Sequence, residues 1–174
     1  MDPPNDSQPT IERAAQDDVE SVADLWVRLA RDQRGYDSAV LADPNREMIR
    51  DTLAAHQVND GLLVARVGGA IVGFASFTLE RGSLALDTTR GLLSNIYVDA
   101  GYQNLGIGTA LLEAAEAELA EQGAETVILE VMAANDDARR FYDRHGYDTY
   151  RVAMERELDD DDRSENDTHS KEDR

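Results

Sequence analysis

The chain has 174 residues, enough for one domain with a sizeable core. It has no cysteine, which excludes disulfides, thiolate nucleophiles and cysteine metal sites, and its three histidines (His56, His145, His169) lack metal-ligand spacing. Acids outnumber Lys+Arg by 36 to 17, a formal net charge of −19, which disfavours nucleic acid and anionic membrane surfaces as partners.

The charge is not confined to the ends. Residues 10–158 keep 26 acids against 14 bases, and all 14 are arginine; the one lysine of the chain is Lys171. A lysine-poor acidic surface resembles that of proteins from salt-accumulating organisms, because molar salt shortens the Debye length to ~3 Å and screens the self-repulsion. A halophilic origin is therefore expected. No apolar run approaches the ~20 residues of a membrane helix, and the opening MDPPNDSQPT has no basic stretch leading into an apolar one. A soluble, cytoplasmic protein is expected. Residues 1–9 and the acidic stretch 159–174 have the composition of disordered tails, which leaves a single domain over 10–158.

Thr10–Ala14 reads as a short strand. Asp17 and Glu20 have capping-box spacing ahead of a helix whose Val19, Val22, Trp26 and Leu29 form an apolar stripe. Asp43-Pro44 opens a second helix running to about His56, which is read as a core-edge histidine. Leu62–Val67 and Ala70–Leu79 are strands joined at Gly68-Gly69. Arg81–Arg90 is a polar loop, and Leu92–Val98 a third strand-like run. A helix is expected from about Gly106 to Gln122, closed by Gly123. Thr126–Val131 reads as an inner strand buried on both faces, Asp136–Arg144 as a helix closed by His145-Gly146, and Tyr147–Leu158 as a last strand. The order β-α-α-β-β-β-α-β-α-β defines a mixed α/β (α+β) domain.

The segment Gln103-Asn104-Leu105-Gly106-Ile107-Gly108-Thr109 carries the chemical signal. A helix start gathers N–H groups and positive dipole, and glycines there leave the backbone open to an anion such as a pyrophosphate. The same glycines also suit a tight strand–helix turn, and spacing alone leaves both readings open. A P-loop would need a Gly-Lys-Ser/Thr ending, and a dinucleotide fingerprint a third glycine where Leu111 stands.

Two motifs together resemble the GCN5-related N-acetyltransferase superfamily. The first is Gln103-x-x-Gly106-x-Gly108, preceded by a strand that ends Tyr97-Val98-Asp99. The second is Asn135-x-x-Ala138-x-x-Phe141-Tyr142-x-x-x-Gly146-Tyr147, about 30 residues on. The resemblance is densest over 91–158. It implies a mostly antiparallel central sheet of about 6–7 strands flanked by about four helices, and acetyl-CoA as co-substrate with no metal. It implies that amides of Gln103, Asn104, Leu105, Gly106, Ile107, Gly108 and Thr109 hold the pyrophosphate. The backbone of Ile96, Tyr97 and Val98 would pair with the pantetheine arm where the strands splay. Asn135 would hold that arm, and Tyr142 would protonate the departing thiolate, as a phenol of ordinary pKa ~10 can. The acceptor would be a primary amine on a small molecule, peptide or protein.

The resemblance also implies a glutamate near Asn95, where this chain has an amide that cannot act as a base. Glu130 is the substitute, placed like a glutamate in the branch that acetylates N-termini of ribosomal proteins. Its other reading is a solvated residue at a strand end. Trp26, Tyr36 and Arg81–Arg90 fall in the acceptor half of the family, with packing or solvation the stronger reading for each. Tyr97 and Tyr147 side chains read as packing. The resemblance admits a homodimer. A function from another class, a non-catalytic acyl-CoA-binding sensor or interaction module, is kept open by Asn95.

Overall fold

The computed structural model describes residues 8–158. The two tails expected over 1–9 and 159–174 lie outside the described residues, except for residues 8 and 9. The chain groups into two compact units, one through Asp136 and one from Asp137 onward.

The first unit is built on one sheet. Strands β1 (Thr10–Arg13), β2 (Leu62–Val67), β3 (Ala70–Leu79), β4 (Arg90–Val98) and β5 (Thr126–Leu129) lie in the order β1-β2-β3-β4-β5. The first three pairings are antiparallel and β4 with β5 is parallel. Five strands are therefore seen among the described residues, against the 6–7 expected. The expected last strand is not one of them. Residues 147–158 form no strand, and Tyr150, Val152 and Met154 are exposed. Nor is Thr126–Val131 seen as an inner strand buried on both faces: β5 ends at Leu129, is the last strand of the sheet among the described residues, and Val131 is exposed.

Helices α1 (Val19–Gln33) and α2 (Arg46–Val58) cover one face of the sheet. Val22, Ala23, Trp26, Ala30 and Leu53 pack there with Leu62, Val64, Phe74 and Tyr97. Trp26 is thus a core residue. The N-terminal capping acceptor is Asp18 rather than Asp17: its Oδ2 accepts the Ala15 N–H at 2.8 Å, and a 3-10 turn over Gln16–Asp18 precedes α1. Likewise Pro44 sits in a 3-10 turn (Asp43–Asn45), and α2 proper begins at Arg46. His56 is tied to strand backbone, its Nδ1 donating to the Phe77 carbonyl at 2.9 Å. Across the two helices Arg46 pairs with Glu20 (3.1 Å) and Asp24 (2.7 Å), and Arg50 pairs with Glu20 (2.6 Å). Arginine supplies the basic partner here, as it does for Asp99, Asp43 and Asp18 elsewhere in the unit.

Helix α3 (Ile107–Glu121) covers the other face. It lies so close to the sheet that a Cβ on Gly91 would stand 2.7 Å from Leu119 Cδ1. Ala124 N donates to Leu119 O at 2.9 Å while Gly123 takes φ 98°, the hydrogen-bonded closure that ends a helix at glycine.

The second unit contains α4 (Asp136–Arg144), whose first residue belongs to the first unit. It closes the same way, with Tyr147 N donating to Tyr142 O at 3.1 Å and Gly146 at φ 84°.

Candidate functional site

Strand β4 is irregular where the chemistry is expected. Ser76 faces Asn95 across the ladder and Phe77 faces Leu93, so Ser94 is an extra residue on β4. Such a bulge re-aims the side chains that follow it. Leu93 shares the α3 face with Phe77, whereas Asn95 and Tyr97 join Ser76 and Phe74 on the α1 face. Asn95 Nδ2 donates to Ser76 Oγ at 2.9 Å, and Ser76 is fully buried.

The parallel pairing of β4 with β5 runs only from Arg90–Thr126 to Leu93–Leu129. Beyond Leu93 β4 runs on to Val98, whereas β5 has ended at Leu129. Which backbone groups of β4 face away from β3 is fixed by the other ladder. Asp99 N donates to Val72 O at 2.8 Å. Antiparallel pairs alternate, so Tyr97 likewise directs its N–H and C=O at Phe74 on β3. The groups of Ile96 and Val98 therefore face away from β3. Of the three residues expected to offer backbone there, Tyr97 instead spends its groups within the sheet. Its side chain is buried against α1, with Oη donating to Asp32 Oδ2 at 3.4 Å. Burial first, then the negative charges of Asp32 and Asp99, push the Tyr97 phenol up to about 12.

After β4 the chain makes a 3-10 turn (Ala100–Tyr102) capped by Asp99, whose Oδ1 accepts the Ala100 N–H at 3.1 Å. Asp99 Oδ2 also receives Arg28 Nη1 from α1 at 2.6 Å. Gln103, Asn104, Leu105 and Gly106 then lie exposed. Asn104 (φ 60°) and Gly106 (φ 81°) are both left-handed. A Cβ on Gly106 would meet no protein atom within 4 Å, so within the protein glycine is required there by φ alone. Ala110 is the first helical donor, to Gly106 O at 3.1 Å. The amides of Ile107, Gly108 and Thr109 therefore precede the helical ladder, at the positive end of a fifteen-residue helix. Strand backbone facing away from β3, ahead of a bare helix start, suits an extended amide-bearing arm that ends in phosphate. The donor set fits CoA.

Glu130 comes directly after the last residue of β5 and is exposed, so its carboxylate bears no burial cost. Asn135 closes a turn, its N–H donating to Met132 O at 2.9 Å. In the second unit, Tyr142 rests edge-on against Phe141 (5.2 Å) and Tyr147 (5.6 Å). Burial raises its phenol above the ordinary value, so it is the protonated form that is held. The Ser94 bulge and the direction of the Gln103 side chain were not read from the sequence. The bulge leaves no local signal, since Ser94 differs little from a strand residue of the solvated face.

Among the described residues there is no group of acids and histidines fit to hold a metal, and no helix long and apolar enough to cross a membrane.

The architecture is that of known acetyltransferases. A GCN5-related N-acetyltransferase from Ralstonia eutropha JMP134 superposes with TM-score 0.67 at 24% identity, covering 87% of this chain and 99% of that one. An aminoglycoside acetyltransferase from an uncultured soil metagenomic sample, solved with trehalose, superposes with TM-score 0.63 at 22% identity over 87% of this chain and 97% of that one. The model of the acetyltransferase (GNAT) family matches residues 21–147, and the chain belongs to that family. An N-alpha-acetyltransferase of Sulfurisphaera tokodaii is 36% identical over 95 residues, 51% of this chain and 57% of that protein. An uncharacterized N-acetyltransferase of Methanocaldococcus jannaschii is 27% identical over 143 residues, 82% of this chain and 62% of that protein. The chain thus matches about three fifths of the length of these curated relatives.

Proposed function

We propose that the protein is an N-acetyltransferase that moves an acetyl group from acetyl-CoA to a primary amine. The observation that carries this reading is that β4 runs on past its pairing with β5, which stops at Leu93 and Leu129, toward the exposed, glycine-bearing start of α3. In this reading the pyrophosphate rests on amides of the loop and first helical turn. The acyl-bearing arm lies along β4 with Asn135 as a further amide partner. A neutral amine attacks the thioester carbonyl, the C–N bond forms and the C–S bond breaks. Glu130 takes the proton from the amine. Tyr142 gives its proton to the departing thiolate, and the raised phenol value keeps that proton in place at neutral pH.

The N-alpha-acetyltransferase relative supports a peptide or protein N-terminus as acceptor, and the aminoglycoside enzyme of like fold supports a small amine. The acidic surface favours cationic acceptors of either kind. The composition supports a halophilic, cytoplasmic setting, and a homodimer is part of the same proposal.

A second reading, a non-catalytic acyl-CoA sensor, is favoured by Asn95, whose amide is engaged with buried Ser76 and is no base. Calorimetric titration with acetyl-CoA in molar KCl and in dilute buffer tests binding. A thiol-release assay over peptide and small amines then tests transfer. Binding with turnover is expected. Binding without turnover across the panel selects the sensor, and no binding by the folded protein at either salt overturns both.

A further inference from the structure

The side chain of Gln103 is aimed back at the sheet. Its Nε2 donates to the carbonyl of Val98 at 2.9 Å, spanning the 3-10 turn that separates strand from loop. Within that turn Tyr102 N donates to Asp99 O at 2.8 Å. The loop beyond Gln103 has little support of its own. Asn104 and Leu105 are exposed, and a Cβ atom built on Gly106 would meet no protein atom within 4 Å. A loop with so few contacts would otherwise be ordered at the expense of ligand affinity.

We propose that Gln103 is a positioning residue: its side chain pins the start of the glycine loop to the end of β4 and does not contact the ligand. This deepens the acetyltransferase reading and rests on it for the ligand's identity. The pin has a second effect. The Val98 carbonyl faces away from β3 and is already engaged by Gln103. Ile96 is then the strand residue that offers both its backbone groups to an arm lying along β4.

The test compares Gln103→Ala, Gln103→Glu, which keeps the length but lacks the donor, and Gln103→Arg, which keeps a donor. Two readouts are needed. The first is hydrogen exchange of the Tyr102 and Ala110 amides in the protein alone. The second is KM for acetyl-CoA against kcat, with the melting temperature as control. Losing one neutral hydrogen bond corresponds to roughly three- to tenfold. Gln103→Ala and Gln103→Glu should exchange faster by about that factor and raise KM similarly, with kcat within about twofold and a melting temperature lowered by no more than the few degrees that one hydrogen bond accounts for. Gln103→Arg should restore both. Unchanged exchange in Gln103→Ala overturns the pin, and a raised KM alongside unchanged exchange assigns the side chain to the ligand instead. If wild-type protein does not bind acetyl-CoA, the acetyltransferase reading fails while the exchange readout still decides the pin.

Discussion

Asn95 on β4 donates to the hydroxyl of Ser76 on β3 at 2.9 Å, and Ser76 has no exposed surface. A bulge at Ser94 makes this pair, because without it Asn95 would face α3 with Leu93. Asn95 is therefore a cross-strand fastener near the place where the family resemblance implies a carboxylate.

Asn95→Leu should lower stability by about 1–3 kcal/mol, since it strands a buried hydroxyl. The double variant Ser76→Ala/Asn95→Leu should cost less than the sum of the single changes. Urea unfolding of the four proteins measures this, and strict additivity would mean the hydrogen bond contributes nothing.

Gly106 has room but the wrong φ for most residues. Gly106→Val should weaken acetyl-CoA binding tenfold or more, and Gly106→Asn should weaken it less, because asparagine tolerates the left-handed region. Calorimetric titration of both variants gives the comparison. Equal losses would mean that the side chain, not the backbone strain, is what the ligand rejects.

Tyr142→Phe should bind acetyl-CoA as the wild type does and turn over roughly a hundredfold more slowly, the usual scale for losing a general acid. Steady-state rates at saturating substrate decide it. An unchanged rate removes Tyr142 from the mechanism.

Tyr97 holds its proton up to about pH 12 in the fold, against 10.0 ordinarily. The folded state thus favours the protonated phenol. That contribution to stability is complete below pH 10 and is lost as pH rises from 10 to 12. Urea midpoints over this window should fall more steeply for wild type than for Tyr97→Phe. Parallel pH profiles would show that Tyr97 titrates as it does in the unfolded chain.

Salt acts in two opposed ways on this chain. It weakens the Arg46 and Arg50 pairs across α1 and α2, each worth at most about 1 kcal/mol at a surface. It also screens the repulsion of a net charge of −19. Repulsion outweighs the pairs, so the melting temperature should rise between dilute buffer and about 1 M KCl, where the Debye length has shrunk to ~3 Å. A fall would make the ion pairs dominant and remove the support for a halophilic setting.

What could be read from the sequence was local. Gly68-Gly69, Gly106, Gly123 and Gly146 mark turns and helix ends by the backbone they require, and all take positive φ. Helices α3 and α4 accordingly fall within a residue or two of expectation. The family motif lies on that same backbone. What escaped depends on partners distant in sequence. Asp18 won the cap over Asp17 because Arg66 on β2 also binds its Oδ2, at 2.7 Å. Apolar residues alternate at Tyr150, Val152 and Met154, yet periodicity alone does not decide between a strand and exposed extended chain. Gln103 has equal reach toward a ligand and toward Val98, and nothing in its neighbours chooses between them.

The use of arginine in these ion pairs bears on how such an enzyme would treat itself. A guanidinium stays protonated at any working pH and is a poor nucleophile. The residues described contain no lysine at all, and the single side-chain amine of the chain, Lys171, lies beyond them. Under the proposed transfer of acetyl groups to amines, the chain itself thus offers almost no side-chain target. Self-modification has one side-chain address, so intact-mass measurements can separate it cleanly from transfer to an added acceptor.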